Sequence, residues 1–359
     1  MPKYMIRLKP LGEFFFGGEE GFEDKKWGRS EDNQTNIIKS RRFPQQTALL
    51  GMLRKEVLIQ DDEFELKASF NYKDKECKRM KSLIGKGSFN IENSKQSFGL
   101  INSISPLLLT KKIDERHFYM PTPRDHSKKG HGEKKEKMNT SYSPFEREEG
   151  ETIRTNFGEI KAFKKGSFDA KEGLSDSFID LTDKKKIIKS EKSGSDEGIF
   201  INFERVGIEK KGEKDAFYKQ SFYKLNKGFE FVFFADVDTP LKSSIVELGK
   251  GRSTFKMEVE EIDISYKDIV GGLNNESDKI ILTSDAYIEE DIDKVIDFSI
   301  KGSISFRNIK TDKRLIRSKK KYNFWQRGSV IYLKDEKKED VIEKIRKENL
   351  NKIGYNKFV

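Results

Sequence analysis

The sequence predicts an α+β fold of two small sheet-and-helix sandwiches, and three observations lead there. Short stretches of alternating apolar residues occur toward both ends of the chain. Each group is accompanied by a single amphipathic helix, one early and one late. A charged central stretch poor in aliphatic residues lies between them. At 359 residues the chain is long for one domain, so two are expected: residues 1–200 and residues 201–359.

The first strand is read in "KYMIRLKPLGEFFFGG", where Tyr4, Ile6 and Leu8 alternate before the pair Gly17 and Gly18. "GRSEDNQTNIIKSRR" is polar and reads as a loop. "FPQQTALLGMLRKEVLIQ" starts a helix with Pro44 in its first turn, where a missing N–H costs nothing. Leu49, Leu50, Leu53 and Val57 share one face for packing on a sheet. Gly51 sits inside that helix at a cost of about 1 kcal/mol relative to alanine, which a close backbone approach would explain.

Residues 123–195 change character. "RDHSKKGHGEKKEKMNTSYSP" and "DKKKIIKSEKSGSDEG" are charged and glycine-dotted, and such segments bury little of their own surface. They predict an inserted extended hairpin with mobile tips, projecting from the N-terminal domain. Order returns at "GIFINFERVGIEKK", followed by the strands "GFEFVFFADVD" and "STFKMEVEEIDIS". "KIILTSDAYI", "VIDFSIKGSISF" and "SVIYLK" add more strands, and "EDVIEKIRKENLN" is the late helix.

Lys and Arg total 71 against 61 Asp and Glu, a net charge of +10 that favours a polyanionic partner or simply keeps the chain soluble. The one cysteine, Cys77, permits no intrachain disulfide. No apolar run approaches the roughly 20 residues that span a bilayer, and "MPKYMIRLKP" lacks a signal-peptide core. A cytoplasmic protein without membrane contact is expected.

Catalytic material is sparse. A metal-independent ribonuclease often uses a histidine as general base, and His117 is the only histidine outside the insertion. With no motif that assigns it a partner acid or base, it reads as an ordinary strand or surface residue. No cysteine or histidine pattern supports zinc, and "EEDIDK" reads as an exposed acidic loop. No catalytic residue, metal or cofactor is expected.

"VELGKGRSTFKMEVEEI" raises a sharper question. "GKGRST" lacks the spacing of a nucleotide-binding phosphate loop and precedes a strand, where that motif must open a helix. Gly249 and Gly251 can still bring backbone N–H groups close to phosphates that Lys250 and Arg252 neutralise. Ser253 and Thr254 can donate to phosphate or ribose oxygens. A plain glycine hairpin is the other reading.

Four stretches together resemble one family. "RRFPQQTALLGMLR" resembles the first-helix signature of the Cmr-complex subunit that caps the 5′ end of CRISPR guide RNA (crRNA). "ISPLLLT" with "FYMPTPRD" resembles that family's run into a Pro-x-Pro-x-Asp element. "ERVGIEKKGEKDAFYKQSFYKL" is similar to its Arg-x-Gly-Ile segment, and "LGKGRSTFKMEVEE" to its glycine loop and following strand. The matches run from residue 41 to about 260 in the family's order, although the family's loop more often has adjacent glycines and an acid, where Lys250 separates Gly249 and Gly251 here. The equivalent subunit of Csm complexes shares the fold and the place in the assembly.

The resemblance implies two ferredoxin-like (RRM-like) domains of the repeat-associated RAMP class. It implies a non-catalytic scaffold of a type III-B CRISPR effector complex, holding the crRNA 5′ tag and indirectly the target RNA in antiviral defence. Its partners would be the large polymerase-like subunit and the backbone RAMP subunits. Lys39, Arg41, Arg42, Gln45 and Arg205 would then join Gly249, Lys250, Gly251, Arg252 and Ser253 in holding RNA. The insertion would be the thumb that displaces one nucleotide between tag and spacer, with "IRTNFGEIKAFKKGSF" offering stacking and basic groups. A RAMP endoribonuclease that processes precursor crRNA is the alternative.

Overall fold

A computed structural model of the chain describes residues 3–359 apart from 18–19, 24–34, 66–72, 113–114, 129–141, 145–146, 156–157, 164–173, 175, 185, 192–197, 212–213, 250–252, 275–277, 311–315 and 335–336. The protein is mixed α+β with mostly antiparallel sheets. Its largest sheet has nine strands. In spatial order these are Ile187–Lys189, Ser177–Asp180, Arg116–Pro121, Leu108–Lys112, Phe229–Val237, Lys3–Pro10, Thr254–Glu261 and Ser244–Glu247, with Ile101–Ile104 also on Phe229–Val237. All of these pairings are antiparallel.

The alternation of the first strand decides its faces, because successive side chains point to opposite sides of a sheet. Tyr4, Ile6 and Leu8 enter the principal core, and Met5 enters a second core on the opposite face. The helix Gln46–Ile59 lays Leu49, Leu50, Leu53 and Val57 on the first face, as its pattern predicts. The opposite face is closed by Tyr266 and Val270 of the short helix Tyr266–Val270, packed with Val232 and Phe234. Aromatic rings fill much of the principal core: Phe14 lies 5.4 Å from Phe231 and 6.0 Å from Phe255.

The division expected at residue 200 does not fall on a gap in the hydrogen bonding. Ile6 is flanked by Phe233 on one side and Val259 on the other, so strands from the second half complete the first sheet. A strand buried on both faces needs a neighbour along each edge, and here both neighbours come from beyond residue 228. A smaller unit does stand at the C-terminal end. There Lys279–Ile281, Val330–Leu333 and Ile296–Ile300 form a three-stranded sheet, with Val341 and Ile345 of the helix Lys338–Ile345 in its core.

The insertion also has different limits from those expected. A hairpin of Arg147–Thr155 with Gly158–Phe163 lies inside it, and its tip and the run 164–168 fall outside the described residues. Its ends belong to the fold: Ser177–Asp180 is a buried strand of the large sheet, and Phe178 and Ile179 join its two cores. "FIDLT" therefore carries enough apolar area to be recruited, despite its charged neighbours.

Gly51 departs from expectation too. It lies on a solvent-facing ridge with Lys55 and Ile59, and nothing sits within 4 Å of where its β-carbon would be. No backbone approach requires the glycine. Gly51→Ala should raise the unfolding free energy by about 0.5–1 kcal/mol, read as a higher urea midpoint at unchanged slope.

Candidate nucleic-acid interface

The stretch "EFFFGG" organises the site. Phe14 and Tyr223 exchange backbone hydrogen bonds of 2.7 and 3.1 Å, tying it to the long hairpin of Phe200–Lys211 and Lys214–Leu225. The Phe15 N–H donates to Ser253 Oγ at 3.0 Å, which brings in the glycine loop. The Phe16 N–H donates to Ser40 Oγ at 3.0 Å, and the Arg41 N–H donates to Gly17 O at 3.0 Å. Three sequence-distant segments thus meet on four consecutive residues, Phe14 to Gly17.

The predicted residues take different parts in this junction. Lys39 ends the strand Thr35–Lys39, opposite Ser221, and is exposed. The Arg41 guanidinium donates to Ser305 O at 2.9 Å, and no carboxylate pairs with it among the described residues. Gln45 is the extended residue before the first helix, and its carbonyl accepts from the Ala48 and Leu49 N–H groups at 2.9 and 3.2 Å. Pro44 accordingly precedes the helix instead of opening it. Arg205 is exposed, 2.5 Å from Glu13, with its guanidinium 4.6 Å over the Phe222 ring.

Two of the expected contacts have structural employment. Arg42 is bonded to Asp176 and, at 2.8 Å, to Glu191, and lies 5.9 Å over the rings of Phe200 and Tyr223. Burial opposes its charge, but Glu191 and Asp176 outweigh that and raise its pKa above the ordinary value. Its charge is held by these two carboxylates. Ser253 is 8% exposed and its Oγ accepts from Phe15, so it fastens the loop inward where a ligand donor was expected.

Gly249 has a reason of its own. Its φ is +97°, and a β-carbon there would lie 2.5 Å from Phe15 O. Lys250, Gly251 and Arg252 fall outside the described residues. Gly249→Val should cost about 1–3 kcal/mol through a φ that branched residues avoid, seen as a lower melting temperature of the free chain.

Two arrangements were not legible in the sequence. In "PTPRD" the Asp125 carboxylate is wholly buried, 2.7 Å from His126 Nδ1 and 3.1 Å from Lys279 Nζ, with the Tyr332 hydroxyl 3.3 Å away. The neighbouring Arg124 donates through its N–H to Gly328 O at 2.9 Å and through its guanidinium to Gln326 at 2.7 Å. The element is a clamp between the large sheet and the C-terminal unit. Separately, His117 Nδ1 lies 2.8 Å from Oδ2 of the buried Asp180, an acid 63 residues away in sequence. The acidic run "EEDIDK" is likewise engaged, Asp291 with Lys344 at 2.6 Å and Glu289 with Lys347.

Burial alone would raise the Asp125 pKa, but His126 and Lys279 outweigh it and hold it below the ordinary carboxylate value. Its stabilising contribution is therefore complete above the unfolded pKa of about 3.9 and is lost as pH falls through the lower folded value. Asp125→Ala, which leaves Lys279 buried without this partner, should cost about 3–5 kcal/mol near neutral pH. Denaturant curves should show the gap between wild type and variant narrowing only below about pH 4.

The profile of the family described as CRISPR-associated protein (Cas_Cmr3) matches residues 6–359. The chain belongs to that family. As a member of that family it is a subunit of the CRISPR-associated Cmr complex. A comparison with curated protein sequences finds no match. A chain of a solved structure described as "Cryo-EM structure of the Type III-B Cmr-beta bound to cognate target RNA" is similar at 13% identity and a TM-score of 0.47, covering 99% of this chain and 96% of that one. Within the Cas_Cmr3 match lie all three segments that meet on Phe14–Gly17. No helix among the described residues is long and apolar enough to cross a membrane.

Proposed function

We propose that this subunit is a non-catalytic RNA-binding scaffold that holds the 5′ tag of the crRNA and helps to position guide and target RNA. One observation carries the reading: the turn Lys39–Gln45, the glycine loop and the long hairpin converge on Phe14–Gly17. That convergence sets the exposed Lys39 and the half-buried Arg41 on the same junction as the loop in whose sequence Lys250 and Arg252 stand. Backbone phosphates need charge at such a place and little base-specific geometry.

In this reading the large sheet contains a ferredoxin-like RAMP unit. The order Leu108–Lys112, Phe229–Val237, Lys3–Pro10, Thr254–Glu261, with the first helix between Lys3–Pro10 and Leu108–Lys112, supports it. The hairpin Arg147–Thr155/Gly158–Phe163 would act as the thumb. The polymerase-like large subunit and the backbone RAMP subunits would be its cytoplasmic partners.

The His117–Asp180 pair favours a second reading, since a buried carboxylate can orient a histidine as general base in an endoribonuclease. One set of measurements separates the two. The purified chain with repeat RNA should bind without cleaving. Lys250→Glu with Arg252→Glu should weaken binding and make the slope of log K against log salt less negative by about 0.7 per phosphate lost. Cleavage that disappears in His117→Ala would establish the enzyme reading, and an affinity indifferent to salt would remove the electrostatic one.

A further inference from the structure

The sequence carries Gly-Lys-Gly twice, at 249–251 and at 85–87, and the second copy lines a cleft. The cleft measures about 700 Å³ and lies between the loop 85–97, which follows the helix Asp74–Ile84, and the segment around Asn308 and Tyr322. None of the residues of the interface described above lines it. Its size falls within the range of sites for small ligands, about 300–1,000 Å³.

Its walls are polar and held in place. Asn90 Oδ1 accepts from Asn308 at 2.9 Å, Gln96 donates to Ser88 O at 2.9 Å, and the Ile91 N–H donates to Asn308 at 3.3 Å. Lys81, Lys86 and Lys95 stand exposed on its rim, and of these Lys95 lies 3.7 Å from Glu348, which lines the adjoining depression. Its one lining carboxylate, Glu92, is already held by Lys320 at 2.8 Å and the Tyr322 hydroxyl at 2.7 Å. Behind the loop Arg54 donates to Gly87 O at 3.0 Å, and no carboxylate pairs with it among the described residues. Burial pushes its pKa down to about 10. An uncompensated guanidinium under a lysine rim makes the cleft electropositive.

A second depression of about 390 Å³ adjoins the cleft and shares Lys95, Gln96 and Ser97 with it. Together they form a trough along one loop, where the exposed amide of Asn93 can meet base edges and lysines can meet phosphates. A purely acidic peptide would need the charge but not the amides.

We propose that this trough is a second ribonucleotide site, separate from the tag-binding junction, which takes phosphate-bearing ribonucleotide units through the Gly85–Ser88 loop and the Lys81, Lys86 and Lys95 rim. The proposal does not rest on the tag-binding reading, because none of its residues belongs to that junction. The ligand is either a free mononucleotide or a segment of single-stranded RNA, and the shape of the trough suits the strand.

The test uses the full chain, AMP, and a short 4-thiouridine RNA as photocrosslinking probe. Crosslinks should appear on the peptides around 85–97 and 308–322. Lys81→Glu with Lys86→Glu should reduce them and make the salt slope of RNA binding less negative by about 1.4, at about 0.7 for each of two phosphates. Both lysines are exposed, so the melting temperature should not change. Competition by AMP at these crosslinks identifies the mononucleotide form, and persistence of the crosslinks in excess AMP identifies the strand. Crosslinks confined to other peptides, with salt slopes unaltered by the double variant, overturn the proposal while leaving the tag-binding reading standing. Displacement of the RNA probe by a poly-glutamate peptide at equal charge and lower concentration overturns it in favour of a protein partner.

Discussion

The hydrogen-bonding of Lys3–Pro10 between Phe229–Val237 and Thr254–Glu261 is the constraint on which the rest depends. The strand supplies Tyr4, Ile6 and Leu8 to one core and Met5 to another, so neither face of the large sheet closes without it. Its Arg7, 3.0 Å from Glu230 and 2.7 Å from Glu258, ties the same three strands together by charge. Both partners lie more than 220 residues along the chain. Loop closure of that length must precede any reward from packing, which places this fold among the slow, topology-limited folders. The same closure brings "EFFFGG", which directly follows the strand, against the glycine loop that directly precedes Thr254–Glu261.

That geometry explains which parts were legible in sequence. Period-two alternation in Lys3–Pro10 and the helical spacing of Leu49, Leu53 and Val57 are local signals, and both elements formed where the pattern lay. The partner of a strand is not a local property. Nothing in "GFEFVFFADVD" says that its neighbour is residue 6, so dividing the chain at 200 followed composition where hydrogen bonding crosses it. "FIDLT" was hidden by charged flanks for the same reason: four strand residues are too few to announce a period.

Several residues of the junction are singled out by the sequence, but the pairings that hold them are not. Gly249 and Arg41 do stand at one junction, but the glycine is already required by its φ and by Phe15 O. Arg42 looks identical to Arg41 in the sequence, and only the fold reveals that Asp176 and Glu191 hold one and not the other. Asp125 and Lys279, 154 residues apart, form a buried pair that no spacing rule could have suggested. The carboxylate of His117 is hidden in the same way.

The net charge of +10 also has to be read through these pairings. Arg7, Arg42, Arg79 and Lys279 all spend their charge on carboxylates of the fold. Such cations strengthen the fold and offer little to a polyanion, because a phosphate must first displace the carboxylate. What remains for a ligand is unevenly distributed. Among the described residues no carboxylate pairs with the exposed Lys39 or the half-buried Arg41 at the junction on Phe14–Gly17, nor with the exposed Lys81 and Lys86 on the rim of the trough or the Arg54 behind it. Attraction for a nucleic acid falls off within a Debye length of about 8 Å at physiological salt. If a strand binds as proposed, two such local concentrations of charge would act on it as two grips, and the total charge of the chain would matter mainly for how often a strand arrives.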